Sequence, residues 1–288
     1  MAEISASIVQ KLRKMSGQGM MDCKKALEES NGDMEKAMEI LRKKGLATLA
    51  KRAERETTEG IVVSKKTDNG KTASLATLCC ETDFVAKSDD FIEAANKLAD
   101  YTLACSADEG VENILNTSVN GKSFSDVITD LVSRTGEKIQ LGDYARFSHD
   151  GKGLIGSYIH FNKKVGSMLL IETSDEKTAG SDALKTAASD IAMHITAAKP
   201  IALDKDSIDP KILETEKNIY AEQVKNKPAN IIEKIVEGKL RKFYAENCLL
   251  QQQFVKDDTR TITKLLEETA KQVGGTAKIV KYVRFAVS

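Results

Sequence analysis

The sequence predicts an α+β protein made of a three-helix N-terminal bundle, two similar α+β subdomains with antiparallel sheets, and a projecting helical hairpin. Two observations support this prediction. Apolar residues over roughly the first fifty positions repeat at helical spacing, and strand-like alternation begins only after them. The later chain then carries the order hairpin, loop and helix twice, which indicates paired α+β units. The predicted parts are residues 1–55, 56–138 and 139–288, with the helical hairpin at about 208–244.

The N-terminal part, residues 1–55, has the pattern of three short helices and a linker. In ISASIVQKLRKMSG, apolar residues recur every three or four positions up to Gly17, where a C-terminal cap is expected. Asp33 is of the type that caps the start of a helix, and Gly45 is expected to end that third helix. The charged stretch ATLAKRAERETTEG then predicts a helical linker. Such a bundle lies near the lower size limit for independent folding.

The middle part, residues 56–138, changes from helical to strand periodicity. GIVVSKKTDNGKTASLATLCC predicts two strands joined at Asp68-Asn69-Gly70, which is a strong hairpin signal. Ser88 is the expected N-cap of a long amphipathic helix. A further helix is expected to open at Ser125 and to end at Gly136.

The last part, residues 139–288, repeats this plan. KIQLGDYARFSHDGKGLIGSYIH carries a second hairpin signal at Asp150-Gly151, and a strand (GSMLLIE) and a helix (SDALKTAASDIAMHITAAKP) follow. After Pro200, two charged helical runs are broken at Asn226-Lys227-Pro228. Their narrow apolar seam suits an antiparallel helical hairpin. A final helix and the strand AKIVKYVRFAV are expected to complete the second sheet.

Composition limits the classes of function. The 43 basic and 43 acidic residues cancel, which argues against a protein that binds nucleic acid mainly by neutralising phosphates. No run of about 18 apolar residues occurs, and the N-terminus lacks the apolar segment of a secretory signal, so we expect neither a membrane span nor export. The five scattered cysteines form no CxxC pair, which fits reduced thiols in a cytoplasmic protein.

No catalytic or cofactor-binding pattern is readable. The phosphate-binding pattern GxxxxGK[ST] does not occur, and we expect no nucleotide held by this chain, no other cofactor and no metal. His160 and His194 are more simply packed or surface imidazoles than bases, and Cys79 and Cys80 are more simply strand residues than reactive thiols. The sequence therefore favours an interaction protein over an enzyme.

The stretch ETDFVAKSDDF, residues 81–91, raises a specific question. It follows a predicted strand, it precedes the helix capped by Ser88, and it sets Asp83 beside Phe84. A loop is where a large aromatic side chain is hardest to bury. Phe84 is either a staple that packs at the helix entry on its own subdomain, or a side chain held outward for a partner. From these residues alone, the staple is the simpler alternative.

Several strings resemble the signatures of one known family, translation elongation factor Ts. They are MMDCKKAL at residues 20–27, TDFVAK at 82–87 and AMHITAAKP at 192–200, and LRKMSGQG, VEGKLRKF and QFVKDD agree with further family segments in the same order. The resemblance covers nearly the full chain. It implies a guanine-nucleotide exchange factor for elongation factor Tu, with a ubiquitin-associated-like N-terminal bundle, two α+β subdomains and a helical-hairpin module.

The resemblance also implies roles for individual residues. The family's TDFV turn corresponds to Thr82, Asp83, Phe84 and Val85. There the aromatic ring enters the GTPase and displaces structure that supports its Mg²⁺. Further positions that match partner contacts of the family are Arg13, Met20, Met21, Lys24, Gly136 and His160. From the sequence alone, those in the N-terminal bundle are equally compatible with a core position or a solvated face.

Some segments depart from the family pattern, and two rival functions stay open. Phe161-Asn162-Lys163-Lys164 replace a glycine-rich turn, Gln251-Gln252-Gln253 replace Gly-Gln-Pro, and Thr135-Gly136 replace Ile-Gly. The departures concern local loop shape and one apolar contact.

The first rival function is that of a ubiquitin-associated-type adaptor without exchange activity. The second is an enzyme that depends on Cys79, Cys80 or a histidine.

Overall fold

The computed structural model describes residues 4–287, apart from the side chains of residues 229 and 230. The chain has the predicted α+β fold, with helices packed on antiparallel sheets. Its helices are α1 (Ala6–Ser16), α2 (Met20–Glu29), α3 (Met34–Lys51), α4 (Asp83–Ala86), α5 (Asp89–Ala104), α6 (Val111–Asn116), α7 (Phe124–Thr135), α8 (Glu176–Gly180), α9 (Asp182–Ala198), α10 (Pro210–Glu222), α11 (Ala229–Asn247) and α12 (Ile262–Gln272). Its strands are β1 (Glu59–Lys66), β2 (Thr72–Cys80), β3 (Ser118–Val119), β4 (Lys122–Ser123), β5 (Ile139–Ser148), β6 (Gly153–Ile159), β7 (Val165–Thr173), β8 (Gln253–Phe254), β9 (Asp257–Thr261) and β10 (Ala277–Ala286).

The first three helices form a small bundle with its own core. The Ser5 hydroxyl accepts a hydrogen bond from the N–H of Ile8 at the start of α1, and the Asp33 carboxylate caps α3 through two backbone N–H groups. Gly17 ends α1 at φ 69°, a left-handed conformation that glycine adopts without strain. The caps predicted at Gly17 and Asp33 are therefore confirmed. The bundle core consists of Val9, Leu12, Cys23, Ala26, Leu27, Ala37 and Leu41.

The prediction that Gly45 ends the third helix is wrong, because α3 continues to Lys51. Gly45 lies where α3 crosses α7, and a Cβ added there would stand 2.5 Å from the carbonyl oxygen of Thr129. One turn earlier, the Ser133 hydroxyl donates to the carbonyl of Leu41 at 2.9 Å. The glycine therefore permits the close approach of two helices rather than a helix end. Only the first part of the predicted helical linker is helical.

We expect Gly45→Ala to lower the free energy of unfolding by about 1–2 kcal/mol, although alanine is the better helix former by about 1 kcal/mol. The reason is the Thr129 carbonyl oxygen 2.5 Å from the new methyl group, which belongs to a packed backbone. Gly238→Ala in α11 is the matched control, because nothing lies within 4 Å of its added Cβ. Urea unfolding should show the control to be stabilised. Equal stabilisation of both variants would contradict the close helix approach.

The first sheet has the strand order β1-β2-β5, and its neighbouring strands are antiparallel. β1 and β2 form the predicted hairpin, with Gly70 at φ 70° in its turn. α5 begins at the predicted cap, Ser88, whose hydroxyl accepts from the N–H of Phe91. α5 and α7 cover one face of the sheet, and the core between them includes Leu78, Phe91, Leu98, Phe124 and Val132.

α7 begins earlier than predicted. Its N-cap is Ser123 rather than Ser125, because Asp126 lies three residues after Ser123 and the two residues form a reciprocal capping box. The predicted end at Gly136 is confirmed: this residue has φ 71°, and its N–H donates to the carbonyl of Val132. The residue types at both ends are those that cap helices, and the error lay in choosing between two nearby serines.

The second hairpin, predicted at Asp150-Gly151, is wrong. β5 pairs with β2 in the first sheet, whereas β6 pairs with β7 in the second, so these residues lead the chain from one sheet to the other. A turn signal marks a change of direction, but pairing depends on which strand edge is free. The hairpin that repeats β1–β2 is β6–β7, closed by residues 160–164. We propose that the boundary between the two α+β units lies after Ser148 rather than before Ile139.

The second sheet has the strand order β10-β7-β6, so the C-terminal strand completes it as predicted. Side chains of β7 alternate between its two faces. Leu169 and Ile171 lie in a core with α9 and α12, while Met168 and Leu170 pack against the first sheet, where they share a cluster with Leu75. The two sheets therefore pack face to face, with helices on their outer sides.

α10 and α11 form the predicted helical hairpin, and the chain turns between them at residues 223–228. The Lys239 ammonium lies 5.3 Å from the centre of the Tyr220 ring, which joins the two helices side by side. Phe243 and Cys248 are buried together with Ala202 at the base of this hairpin. The base is thus attached to the segment that follows α9.

His194, in α9, is buried and makes two specific hydrogen bonds. Its Nδ1 accepts from the N–H of Val255 at 3.3 Å, so its Nε2 carries the proton and donates to Oε1 of Gln252 at 2.9 Å. Burial lowers the pKa of His194 below its ordinary value. Protonation at Nδ1 would also bring the new Nδ1–H of His194 against the backbone N–H of Val255, and neither group could accept the other's hydrogen bond. His194 is therefore a packed neutral imidazole, as the simpler interpretation of the sequence has it.

We expect the free energy of unfolding to fall between pH 7.5 and 5.5 because of His194, by at most about 1.4 kcal/mol, the limit for one proton bound by the unfolded chain alone. The folded-state pKa of this group is lowered, so the unfolded chain binds the extra proton first. Stability is thus fully present above the unfolded pKa of about 6.5 and is lost as the pH falls below it. Urea unfolding at both pH values tests this. His194→Asn should show a smaller difference, and an equal difference would refute the assignment.

Candidate partner-binding surface

The TDFV turn, Thr82–Val85, is a single helical turn between a strand and a long helix. Thr82 is the N-cap of α4, and its hydroxyl accepts from the N–H of Val85 at 3.4 Å. The Ser88 hydroxyl donates to the carbonyl of Val85 at 2.7 Å and then caps α5. Two capping side chains therefore enclose the turn and separate it from the longer helix.

A carboxylate from another part of the chain holds this turn. Glu137, just after α7, accepts from the backbone N–H and from the hydroxyl of Thr82, at 3.1 and 2.7 Å. The neighbouring Glu81 accepts from the N–H of Lys138 at 2.6 Å and from the Arg52 guanidinium at 2.7 Å. Hydrogen bonds to charged groups are stronger than neutral ones. The TDFV turn is thus attached both to α7 and to the end of α3.

Phe84 projects from the fold and is 83% exposed. Its neighbour Ala86 is buried, and Val85 packs against the core of the first unit. Successive residues of a helix point about 100° apart, so burying these two directs Phe84 to the opposite side. The alternative in which Phe84 staples α5 onto its own subdomain is therefore wrong.

Asp83 pairs with Lys87 across the same turn, 2.6 Å apart. The Lys87 ammonium holds the pKa of the Asp83 carboxyl below its ordinary value. Both residues line a hollow of about 250 Å³, together with Lys163 and Lys164. Lys164 in turn binds Glu59 of β1 at 2.6 Å. The hollow therefore joins the TDFV turn to the loop between β6 and β7.

That connection, the β6–β7 loop (residues 160–164), carries His160. The N–H of His160 donates to the carbonyl of Val165 at 2.9 Å, and its ring centre lies 4.3 Å from that of Phe161. Lys163 has φ 57°, a left-handed conformation that glycine adopts more easily. Its carbonyl accepts from the N–H of Val62 in β1 at 2.7 Å. The loop thus makes a tight turn with a lysine in the left-handed conformation.

Gly136 lies beside the TDFV turn, because it directly precedes Glu137, which binds Thr82. The other candidates lie in the bundle, on α1 and α2. They are exposed, so the alternative that they are core residues is wrong; they are Arg13, Met20, Met21 and Lys24.

Arg134, in α7, lies between the end of α1 and the start of α5. A Cβ added to Gly17, at the end of α1, would stand 2.9 Å from the Arg134 side chain. The Arg134 guanidinium also binds Asp90 in the first turn of α5, at 2.8 Å. The Gly17 end of the bundle is therefore next to the helices that flank the turn.

The second departure, Gln251-Gln252-Gln253, takes part in packing instead. Gln252 is buried, and its amide bonds to His194 and to the carbonyl of Glu246. The sequence offered no sign of this role, because His194 and Gln252 are distant along the chain. This segment stabilises the second α+β unit.

The thiol groups that an enzyme alternative would need are buried. All five cysteines are buried, and burial raises the pKa of the Cys80 thiol to about 12 and that of Cys79 in the same direction. Within residues 4–287, no three His, Cys, Asp or Glu side chains converge on a possible metal position. Over the same range, no helix is long and apolar enough to cross a membrane. The thiol alternative therefore has no support.

Known proteins are similar to this chain over most of its length. The family model described as Elongation factor TS matches residues 81–288. A protein named Elongation factor Ts from a Nitratiruptor species is 41% identical over 284 residues, which cover 98% of this chain and 92% of the relative. Its namesake from Clostridium perfringens is 43% identical over 285 residues, with the same coverage of 98% and 92%. The chain therefore belongs to the elongation factor Ts family.

Proposed function

We propose that this protein is a guanine-nucleotide exchange factor that binds GDP-bound elongation factor Tu and speeds the release of GDP during translation elongation. Membership of the elongation factor Ts family supports the proposal. The observation that carries it is Phe84, 83% exposed on a turn held by hydrogen bonds to Thr82 and Ser88. An aromatic side chain that lies outside its own core, on a turn held by hydrogen bonds, is a typical anchor of protein interfaces.

In this proposal the Phe84 ring enters between helices of the GTPase and displaces structure that supports Mg²⁺. Mg²⁺ needs near-octahedral oxygen ligands at about 2.0–2.1 Å, so a shift of about 1 Å in a supporting element removes much of its coordination. GDP then loses charge neutralisation and leaves faster. Asp83, which binds Lys87 in the free protein, orders the turn and brings an acidic group beside the ring.

Residues on either side of the turn extend the contact. Gly136 and His160 flank it, and the bundle contacts the same GTPase domain through its exposed side chains, Arg13, Met20, Met21 and Lys24. Flexible methionine side chains suit such a surface because they adapt to an irregular partner.

The proposed activity involves no covalent chemistry and no cofactor of this chain's own. Because linkage is reciprocal, a protein that weakens GDP binding is itself bound more weakly when GDP is present. The excess of GTP over GDP then sets the direction of exchange. We place the protein in the cytoplasm, in contact with elongation factor Tu and without direct contact to nucleic acid or membrane.

Stopped-flow release of a fluorescent GDP analogue from elongation factor Tu tests this function. Adding the protein should raise the release rate in proportion to its concentration until the complex saturates. Binding without acceleration would favour the adaptor alternative. Absence of both binding and acceleration would overturn the proposal.

A further inference from the structure

Phe161, in the β6–β7 loop, is even more exposed than Phe84, at 87%. The loop that carries it is held by short-range hydrogen bonds: the Lys163 N–H donates to the carbonyl of His160 at 2.8 Å, and the Lys164 N–H donates to Asn162 Oδ1 at 3.0 Å. A phenylalanine that is 87% exposed contributes little buried apolar area to its own fold. Its position on an ordered loop therefore calls for another explanation.

Neighbouring rings orient the Phe161 side chain. It packs on His160 with ring centres 4.3 Å apart and planes 50° apart. The Tyr158 hydroxyl lies 3.3 Å from Nδ1 of His160, which holds the imidazole in turn. A side chain ordered before binding loses less conformational entropy on binding. Phe161 thus has the properties of an anchor residue.

An apolar groove of about 360 Å³ opens beside this ring. It lies between the edge strand β1 and α5, and the segment from Ile159 to Lys163 forms one wall. Ser64 and Asn96 supply polar groups to the lining. The apolar lining includes Ile61, Val63, Ile92, Ala95, Ala99 and Ile159.

The groove is continuous with the hollow beside the TDFV turn. Ile61, Ile92 and Lys163 line both. Asp83 and Lys87 of the TDFV turn and its neighbourhood line that hollow as well. A partner seated on Phe84 therefore also reaches the groove, so we assign the groove to the same partner and not to a second one.

We propose that Phe161 and this groove form a second apolar contact with the GTPase: the Phe161 ring packs on the partner, and an apolar side chain of the partner enters the groove. The inference rests on the proposed exchange function and adds contacts that the resemblance to the family does not supply. Phe84 enters the GTPase, and the groove receives a side chain of the GTPase. Two such contacts on one face fix the angle at which Phe84 enters.

Three variants test the second contact. Phe161→Ala removes the ring, Phe161→Tyr keeps it, and Asn96→Trp places an indole at an exposed position that lines the groove. Lys97→Trp is the matched control, because it adds the same side chain one position along α5, outside the groove lining. Calorimetry measures Kd for nucleotide-free elongation factor Tu, and thermal unfolding checks that each variant is folded.

Phe161→Ala and Asn96→Trp should each raise Kd about tenfold, whereas Phe161→Tyr and Lys97→Trp should stay within about twofold of the wild type. Wild-type Kd for both Phe161→Ala and Asn96→Trp would overturn the inference. If Phe84→Ala still slows GDP release in that case, the proposed function stands without the second contact. If the wild type neither binds nor accelerates release, both proposals fall.

Discussion

Phe84→Ala is expected to slow the catalysed release of GDP from elongation factor Tu by about 100-fold while leaving the fold intact. The ring is 83% exposed, so its removal takes little apolar contact from the protein itself. In the complex the same ring is buried in the partner, where a truncated aromatic anchor costs about 2–4 kcal/mol. Stopped-flow release rates at a fixed protein concentration measure the first effect, and urea unfolding measures the second.

Phe91→Ala is the matched control, seven residues further along the chain. Phe91 is fully buried between α5 and the first sheet, so this variant should lose about 3–5 kcal/mol of unfolding free energy. Where it is still folded, its catalysed release rate should stay near the wild-type rate. The two phenylalanines thus have opposite expected effects. Normal GDP release with Phe84→Ala, or a stability loss like that of Phe91→Ala, would contradict the proposed role of Phe84.

The same variant tests the energetic coupling between the two ligands of the GTPase. The exchange factor and GDP weaken each other's binding by one common factor. If Phe84 transmits this effect, Phe84→Ala should bring the Kd values for GDP-bound and nucleotide-free elongation factor Tu closer together. A variant that binds both forms more weakly by an equal factor would show that Phe84 contributes affinity but no coupling.

Much of the fold could be predicted because it depends on local chemistry. Helix ends at Gly17 and Gly136 need a residue that tolerates positive φ, and starts at Asp33 and Ser88 need a side-chain acceptor. Each requirement is met within a few residues of the chain. Hydrophobic periodicity then indicated which face of each helix is buried.

The errors came from contacts between distant parts of the chain. Gly45 has the residue type of a helix end, but the carbonyl of Thr129 in α7 is the reason for glycine there. Asp150-Gly151 has the pattern of a hairpin turn, yet β5 pairs with the free edge of β2. Neither Thr129 nor β2 lies close in sequence to the glycine or turn that it affects, so a short stretch of sequence does not show these contacts. Side-chain patterns cannot distinguish a glycine needed for φ from one needed for space.

In the candidate site, too, local residues could be identified from the sequence, whereas contacts between distant parts of the chain could not. The family motif identified Thr82–Val85, but no pattern in the sequence indicated that Phe84 points outward, since a helix-entry staple has the same residue types. Phe161 was recognised only as a departure from a glycine-rich turn. It lies in the loop that joins the paired strands β6 and β7, and the hairpin predicted at Asp150-Gly151 gave no indication of that pairing. Glu137 was missed entirely, because it is 55 residues from Thr82.

Glu137→Ala is expected to slow catalysed GDP release by about 10- to 30-fold, although the Glu137 carboxylate binds Thr82 and not Phe84 itself. The carboxylate accepts from the Thr82 hydroxyl at 2.7 Å, which leaves a lone pair of that hydroxyl free to accept from the N–H of Val85. Without Glu137 the hydroxyl can rotate, the Thr82 N–H loses its acceptor, and the cap of α4 weakens. Phe84 would then sample many directions, and binding would include the cost of ordering it.

A double-mutant cycle separates this positioning role from a direct contact with the partner. In the Phe84→Ala background, Glu137→Ala should slow release by less than about twofold, because no ring remains to be positioned. Glu137→Gln, which keeps an acceptor for the Thr82 hydroxyl but turns an amide N–H toward the Thr82 N–H, should lie between the wild type and Glu137→Ala. Glu93→Ala, at an exposed residue of α5 that pairs with Lys97, is the control and should have the wild-type rate. If Glu137→Ala slowed both backgrounds equally, Glu137 would act independently of Phe84, and the rigid turn would not be what directs the aromatic ring.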